Sequence, residues 1–113
     1  MPTRPSRALR DPGALARSLG EHLSEPKPWV WFDAHERARL AGALRLDRRS
    51  RMLYDRRHVF INGDSYRASG ADARLMRYLA DTRELDAGRV AAASAAAREL
   101  LQVWLQAGWL HAA

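Results

Sequence analysis

The sequence predicts an α+β domain: a β-hairpin packed on a small helical cluster, preceded by a short helix and an extended arm. Three observations carry that expectation. Asn62-Gly63 sits between two short runs, His58 to Ile61 and Asp64 to Arg67, and supplies both positive-φ positions of a type I′ turn. Ala97, Leu100, Leu101, Trp104 and Leu105 fall on one face of a helix. Pro26 and Pro28 end an earlier helical pattern and hold the following chain extended.

In chain order, residues 1–10 hold two prolines and three arginines and read as a flexible tail. Asp11-Pro12 looks like an N-cap followed by proline at the first helical position. Leu15, Leu19, His22 and Leu23 then form one stripe of a short helix. Trp29 to Phe32 continues as a short strand or arm. Asp33 and Glu36 form a D-x-x-E pattern that predicts a second short helix through Leu40 and Ala41, which Gly42 interrupts.

Met52-Leu53-Tyr54 suits a strand, and the hairpin follows with Val59 opposite Tyr66 and Phe60 opposite Ser65. Ser69 and Asp72 read as a capping box for a helix carrying Leu75, Met76 and Leu79 and running to about Ala80. Asp86 should cap a short helix through Val90, and Ser94 a longer one. Gly108 is the expected residue just past that helix, with Trp109-Leu110 returning as a strand. Tyr66, Leu75, Leu79, Leu101, Trp104 and Leu105 are the expected core.

A length of 113 residues allows one domain, or one small domain with an arm, and 47% hydrophobic residues can fill a core. The absence of cysteine excludes disulfides and thiolate metal sites and fits a cytoplasmic location. No apolar run is long enough to cross a bilayer, so no membrane association is expected. The net charge of +6 is unevenly spread. Residues 1–57 hold thirteen Lys/Arg against seven Asp/Glu, whereas residues 58–113 hold six of each. The C-terminal half thus lacks the basic excess of a nucleic-acid reader.

Catalytic patterns are missing. His22, His35, His58 and His111 stand in no H-x-D or H-E-x-x-H spacing, and neither a G-x-S-x-G elbow nor a Walker A loop occurs. Trp104 belongs to an apolar helix face and Trp109 to the helix end. Trp29 and Trp31 alternate on an extended arm and suit burial either in the chain's own core or against a partner. Arg45, Arg48, Arg49, Arg51, Arg56 and Arg57 form a basic run offset by Asp47 and Asp55. It reads as a solvated surface, or as a polyanion contact with RNA phosphates or an acidic protein face.

Two stretches resemble a known family: Leu23 to Phe32 (LSEPKPWVWF) and Arg51 to Gly70 (RMLYDRRHVFINGDSYRASG), the second followed by helices ending in Ala107-Gly108-Trp109-Leu110. Both are similar, in the same order, to the C-terminal region of ROXA-like ribosomal oxygenases. These are Fe(II)- and 2-oxoglutarate-dependent JmjC/cupin enzymes that hydroxylate an arginine of a large-subunit ribosomal protein. In them a catalytic jelly roll precedes a helical dimerisation region and a C-terminal winged-helix domain. The resemblance implies that residues 11–47 correspond to the end of the dimerisation region and residues 48–113 to the winged helix. The family's iron ligands, an H-x-D…H set, match nothing here. The resemblance therefore implies no catalytic residue, no metal and no cofactor, and a chain that is not an enzyme by itself.

Two functions compete on these grounds. One is an interaction module that self-associates or joins a catalytic-domain partner, with a ribosomal protein as a further partner. Leu15, Leu19, Leu23, Trp29 and Trp31 would form its interface. The other is a free-standing winged-helix binder of nucleic acid. Its recognition helix, Ser94 to Ala107, offers only Arg98, Gln102 and Gln106 to base edges, and Arg98 is offset by Glu99. That disfavours the second reading.

Overall fold

The computed structural model describes residues 12–113. The tail expected over residues 1–10 and the Asp11 cap lie outside the described residues. The first helix, α1, spans Pro12–Ser24. Residues 25–43 form neither helix nor strand. The chain turns once at Lys27, whose carbonyl accepts from Val30 N–H at 2.9 Å, and then runs along the domain as an arm.

The helix expected from Asp33 to Ala41 does not form. A single turn, in which Ala38 N–H donates to His35 O at 2.9 Å, takes its place. The reason is tertiary. This segment is hydrogen-bonded along a later helix, and those bonds replace the ones a local helix would make.

Two three-stranded antiparallel sheets follow. In the first, β1 (Leu44–Leu46) lies between β5 (Glu84–Leu85) and β6 (Leu110–Ala112). Leu44 sits opposite Leu85 and Ala112, and Leu46 opposite Leu110. Leu44 and Leu46 point into the core and Arg45 points out, the alternation that strand geometry imposes. β1 precedes residue 48 and yet forms the middle of this sheet. In the second sheet, β3 (His58–Ile61) lies between β2 (Met52–Tyr54) and β4 (Asp64–Arg67). Its hairpin has the expected register, Val59 with Tyr66 and Phe60 with Ser65. Asn62 and Gly63 take φ of 48° and 94°, as a type I′ turn requires.

Three helices complete the domain: α2 (Gly70–Thr82), α3 (Ala87–Ala92) and α4 (Ala95–Gln106). Asp86 and Ser94 cap α3 and α4 by accepting from Arg89 N–H and Ala97 N–H. Ser69 stands at the start of α2 in extended conformation but makes no side-chain cap bond, so the expected capping box is not formed. Leu44, Ile61, Met76, Leu79, Leu101, Trp104 and Leu110 make one continuous core between the sheets and the helices. Leu79, Leu101, Trp104 and Leu105 are buried as expected, whereas Tyr66 and Leu75 are partly buried at the edge.

Candidate interaction surfaces

The N-terminal helix is docked by its polar and small side. Gly20 of α1 lies directly on the ring of Phe60, so close that a Cβ at this position would overlap the ring. Ser24 is buried; its Oγ accepts from Gly63 N–H at 3.1 Å and donates to Glu21 O at 3.1 Å. Arg17 Nε donates to Ser65 Oγ at 3.0 Å, and that hydroxyl donates to the Glu21 carboxylate. Residues 17, 20, 21 and 24 share one helix face by their spacing. They bind α1 to the β3–β4 hairpin.

The apolar stripe therefore turns outward. Leu15, Leu19 and Leu23 are 47%, 55% and 54% exposed. A surface helix ordinarily buries its apolar face and wets its polar one; α1 does the reverse. The arm that follows is pinned through its backbone. Arg49 Nη1 donates to Trp31 O at 3.0 Å, and the Arg49 guanidinium lies over the Phe32 ring, which meets Trp109 edge-on. Gly108, at φ +81°, leaves room for the Asp33 backbone, which any side chain there would strike. Trp29 and Trp31 nevertheless remain 67% and 70% exposed. Own-core packing, one of the two readings left open for this pair, is thus absent among the described residues.

The basic run does not form one surface. Arg49 is turned inward. It makes three hydrogen bonds to Asp47, at 2.8 Å from its backbone N–H and at 2.9 and 3.0 Å from its guanidinium. His111 Nε2 lies 2.6 Å from the same carboxylate. The hydrogen bonds from Arg49 hold the Asp47 carboxyl well below the usual carboxylate range; burial opposes this and the bond with His111 adds to it. Asp47 is thus a latch joining the end of β1, the arm and β6. Arg45, Arg48 and Arg51 are separately exposed. Arg56 and Arg57, at the β2–β3 turn, instead join Arg67, Arg74 and Arg77 around one concave surface. Sequence reading had not singled out these last three. The one local signal was Arg74 and Arg77 at i, i+3 on a helix.

The face of α4 that a base reader would use is occupied. Gln102 Oε1 accepts from Leu40 N–H at 3.0 Å, and Gln102 Nε2 donates to Ala38 O at 2.6 Å. Gln106 Nε2 also reaches Ala38 O, at 3.3 Å, while Gln106 O accepts from His35 N–H at 2.7 Å. Of the three residues offered to base edges only Arg98 stays free. Among the described residues no three of His, Asp or Glu converge to hold a metal ion.

The whole arrangement, arm included, matches one family model, the ROXA-like winged helix, over residues 7–111. The chain belongs to this family. Two solved structures from Escherichia coli have the same fold. One, titled as an X-ray structure of ycfD, superposes with a TM-score of 0.75 at 15% identity, over 98% of this chain and 37% of that one. The other, titled as YcfD, a ribosomal oxygenase, gives 0.75 at 16% identity, over 98% and 38%. The chain thus spans less than two-fifths of the length of these proteins. No curated protein matches it by sequence. The described region is thus a ROXA-like winged helix, and its mixture of helices with two small antiparallel sheets is consistent with that fold. No helix among the described residues is long and apolar enough to cross a membrane.

Proposed function

We propose that this chain is a non-catalytic interaction module of a ribosomal-oxygenase-like protein. It pairs with a second copy through the leucine stripe of α1 and the tryptophan arm, and so helps a catalytic partner to hold a ribosomal-protein substrate. The inverted docking of α1 carries this reading. Three leucines on one face of α1 and two tryptophans on the arm that follows it are exposed apolar side chains of the kind that mark an interaction site.

The magnitude is modest. Completing the burial of a half-exposed leucine contributes about 1 kcal/mol, and a tryptophan somewhat more. Against this stands the loss of rotational and translational freedom. Association is therefore expected in the micromolar range or weaker, at most on the order of −8 kcal/mol. Base-specific nucleic-acid binding is the poorer reading, because the two glutamines of α4 are engaged by residues 38–40.

Sedimentation over a concentration series tests the proposal. The chain is expected to form dimers, and Leu19→Asp or Trp31→Ala to weaken them without lowering the unfolding temperature at dilutions where the chain is monomeric. A monomer at the highest soluble concentration, with both variants merely destabilised, would contradict it.

A further inference from the structure

A groove lies between the β2–β3 turn, the end of β4 and the start of α2, with a volume of about 580 Å³. Five arginines line it: Arg56, Arg57, Arg67, Arg74 and Arg77. Among the described residues none of the five lies within ion-pairing distance of a carboxylate. Arg17, Arg49 and Arg89, by contrast, are paired with Glu21, Asp47 and Asp86. Arg77 alone is engaged, donating to Arg56 O at 3.3 Å and lying over the Tyr54 ring. Asp72 is the one acid in the lining.

Local structure sets the cluster in place. Asp55 Oδ1 accepts from Arg57 N–H and His58 N–H, both at 2.8 Å, and fixes the turn that carries Arg56 and Arg57. The hairpin register puts Arg67 across from His58. Arg74 and Arg77 stand one turn apart on α2. Like charges gathered this way repel one another and weaken the fold unless an anion joins them.

The shape narrows the choice of anion. The remaining lining is small: Ala68, Ser69, Gly70 and Ala73. No large apolar or aromatic side chain lines it to anchor a peptide. No aromatic platform is available to stack unpaired bases. What remains is a set of planar guanidinium donors, each able to take a phosphate in bidentate fashion.

We propose that this groove binds the phosphate backbone of duplex nucleic acid, without reading sequence. The contact is separate from α4 and from the outward face of α1, so it is independent of the pairing proposed above. A fluorescent RNA duplex and a DNA duplex of equal length serve as probes, with polyglutamate as the acidic-polypeptide control. Binding is expected to fall with salt at a logarithmic slope of about −3 to −4, as for four neutralised phosphates. Arg56→Glu with Arg74→Glu should weaken duplex binding by about tenfold or more, since each lost phosphate contact removes both attraction and counterion release. Arg45→Glu with Arg48→Glu makes the same change of net charge at exposed positions outside the groove and should have little effect. Unchanged dichroism and unchanged sedimentation of the groove variant would show that fold and pairing are intact. The RNA and DNA arms tell which duplex is preferred, and binding of either supports the site. Failure of both duplexes to bind, equal loss in the two double variants, or polyglutamate binding as tightly as the duplexes would overturn it.

Discussion

Gly20 looks like a defect when the sequence is read alone, because glycine inside a helix costs up to about 1 kcal/mol relative to alanine. Its reason is the Phe60 ring, which occupies the place of the missing side chain. Gly20→Ala should therefore lower stability by about 1–3 kcal/mol, the cost of overpacking, less the gain in helix propensity. Proteolysis is expected to cut α1 first in that variant. A rise in melting temperature would show that α1 does not lie on the hairpin as described. Asp47 was equally opaque to sequence reading, since His111, and the arm that its neighbour Arg49 holds, come to it only in the fold. Its carboxyl titrates below its unfolded value of 3.8. The sign follows: the stabilisation is complete above about pH 4 and is lost as pH falls through the lower, folded value. Asp47→Asn should cost about 1–2 kcal/mol at neutral pH, as for hydrogen bonds to a charged group. In urea titrations the gap between variant and wild type should narrow as the pH falls below 4. A gap constant from pH 7 to pH 3 would mean that the charge of Asp47 contributes nothing.

Elements specified by local chemistry were legible, as were the strands at Met52–Tyr54 and at Leu110, whereas the short strands β1 and β5 were not. Asn62-Gly63, the Asp86 and Ser94 caps and the apolar face of α4 all act within a few residues of themselves. β1 and β5, of three and two residues, exist only because Leu44 and Leu85 meet across about forty residues of chain. The helix expected after Asp33 failed for a related reason, since Gln102 and Gln106 hold its backbone in another shape. α4 thus serves two packing roles: its apolar side fills the core and its amides hold the arm. Trp104 is the largest fully buried side chain and meets Tyr66 edge-on, with ring centroids 5.6 Å apart. Trp104→Ala should cost about 3–5 kcal/mol in denaturant unfolding. A loss below about 1 kcal/mol would mean that the core relaxes around the gap and that Trp104 does not organise it.

At the scale of the molecule, the leucine stripe of α1 was plain in the sequence, but its direction was not. Periodicity identifies an apolar face without saying whether it meets the chain's own core or another surface. The answer came from the opposite face, where Gly20, Ser24, Arg17 and Glu21 bind the hairpin. The basic run was misleading in a different way: it was contiguous in sequence, yet the fold turned Arg49 inward and moved Arg56 and Arg57 into a groove with arginines far along the chain. The resulting domain keeps its core and the two glutamines of α4 to itself and leaves its most exposed large apolar side chains on α1 and the arm, with Val103 of α4 the next in exposure to the four foremost of them. Pairing through that surface is the central claim, and the cysteine-free chain allows a direct test. In a symmetric pair, a stripe crossing the two-fold axis brings some residue close to its own counterpart. Disulfides form only when the Cα atoms come within about 7 Å. Single cysteines introduced as Leu15→Cys, Leu19→Cys and Leu23→Cys should include at least one that oxidises rapidly to a covalent dimer. Glu99→Cys, exposed on α4, should stay monomeric at the same concentration. If no cysteine on the stripe cross-links faster than Glu99→Cys, α1 does not meet a second copy and the account is wrong.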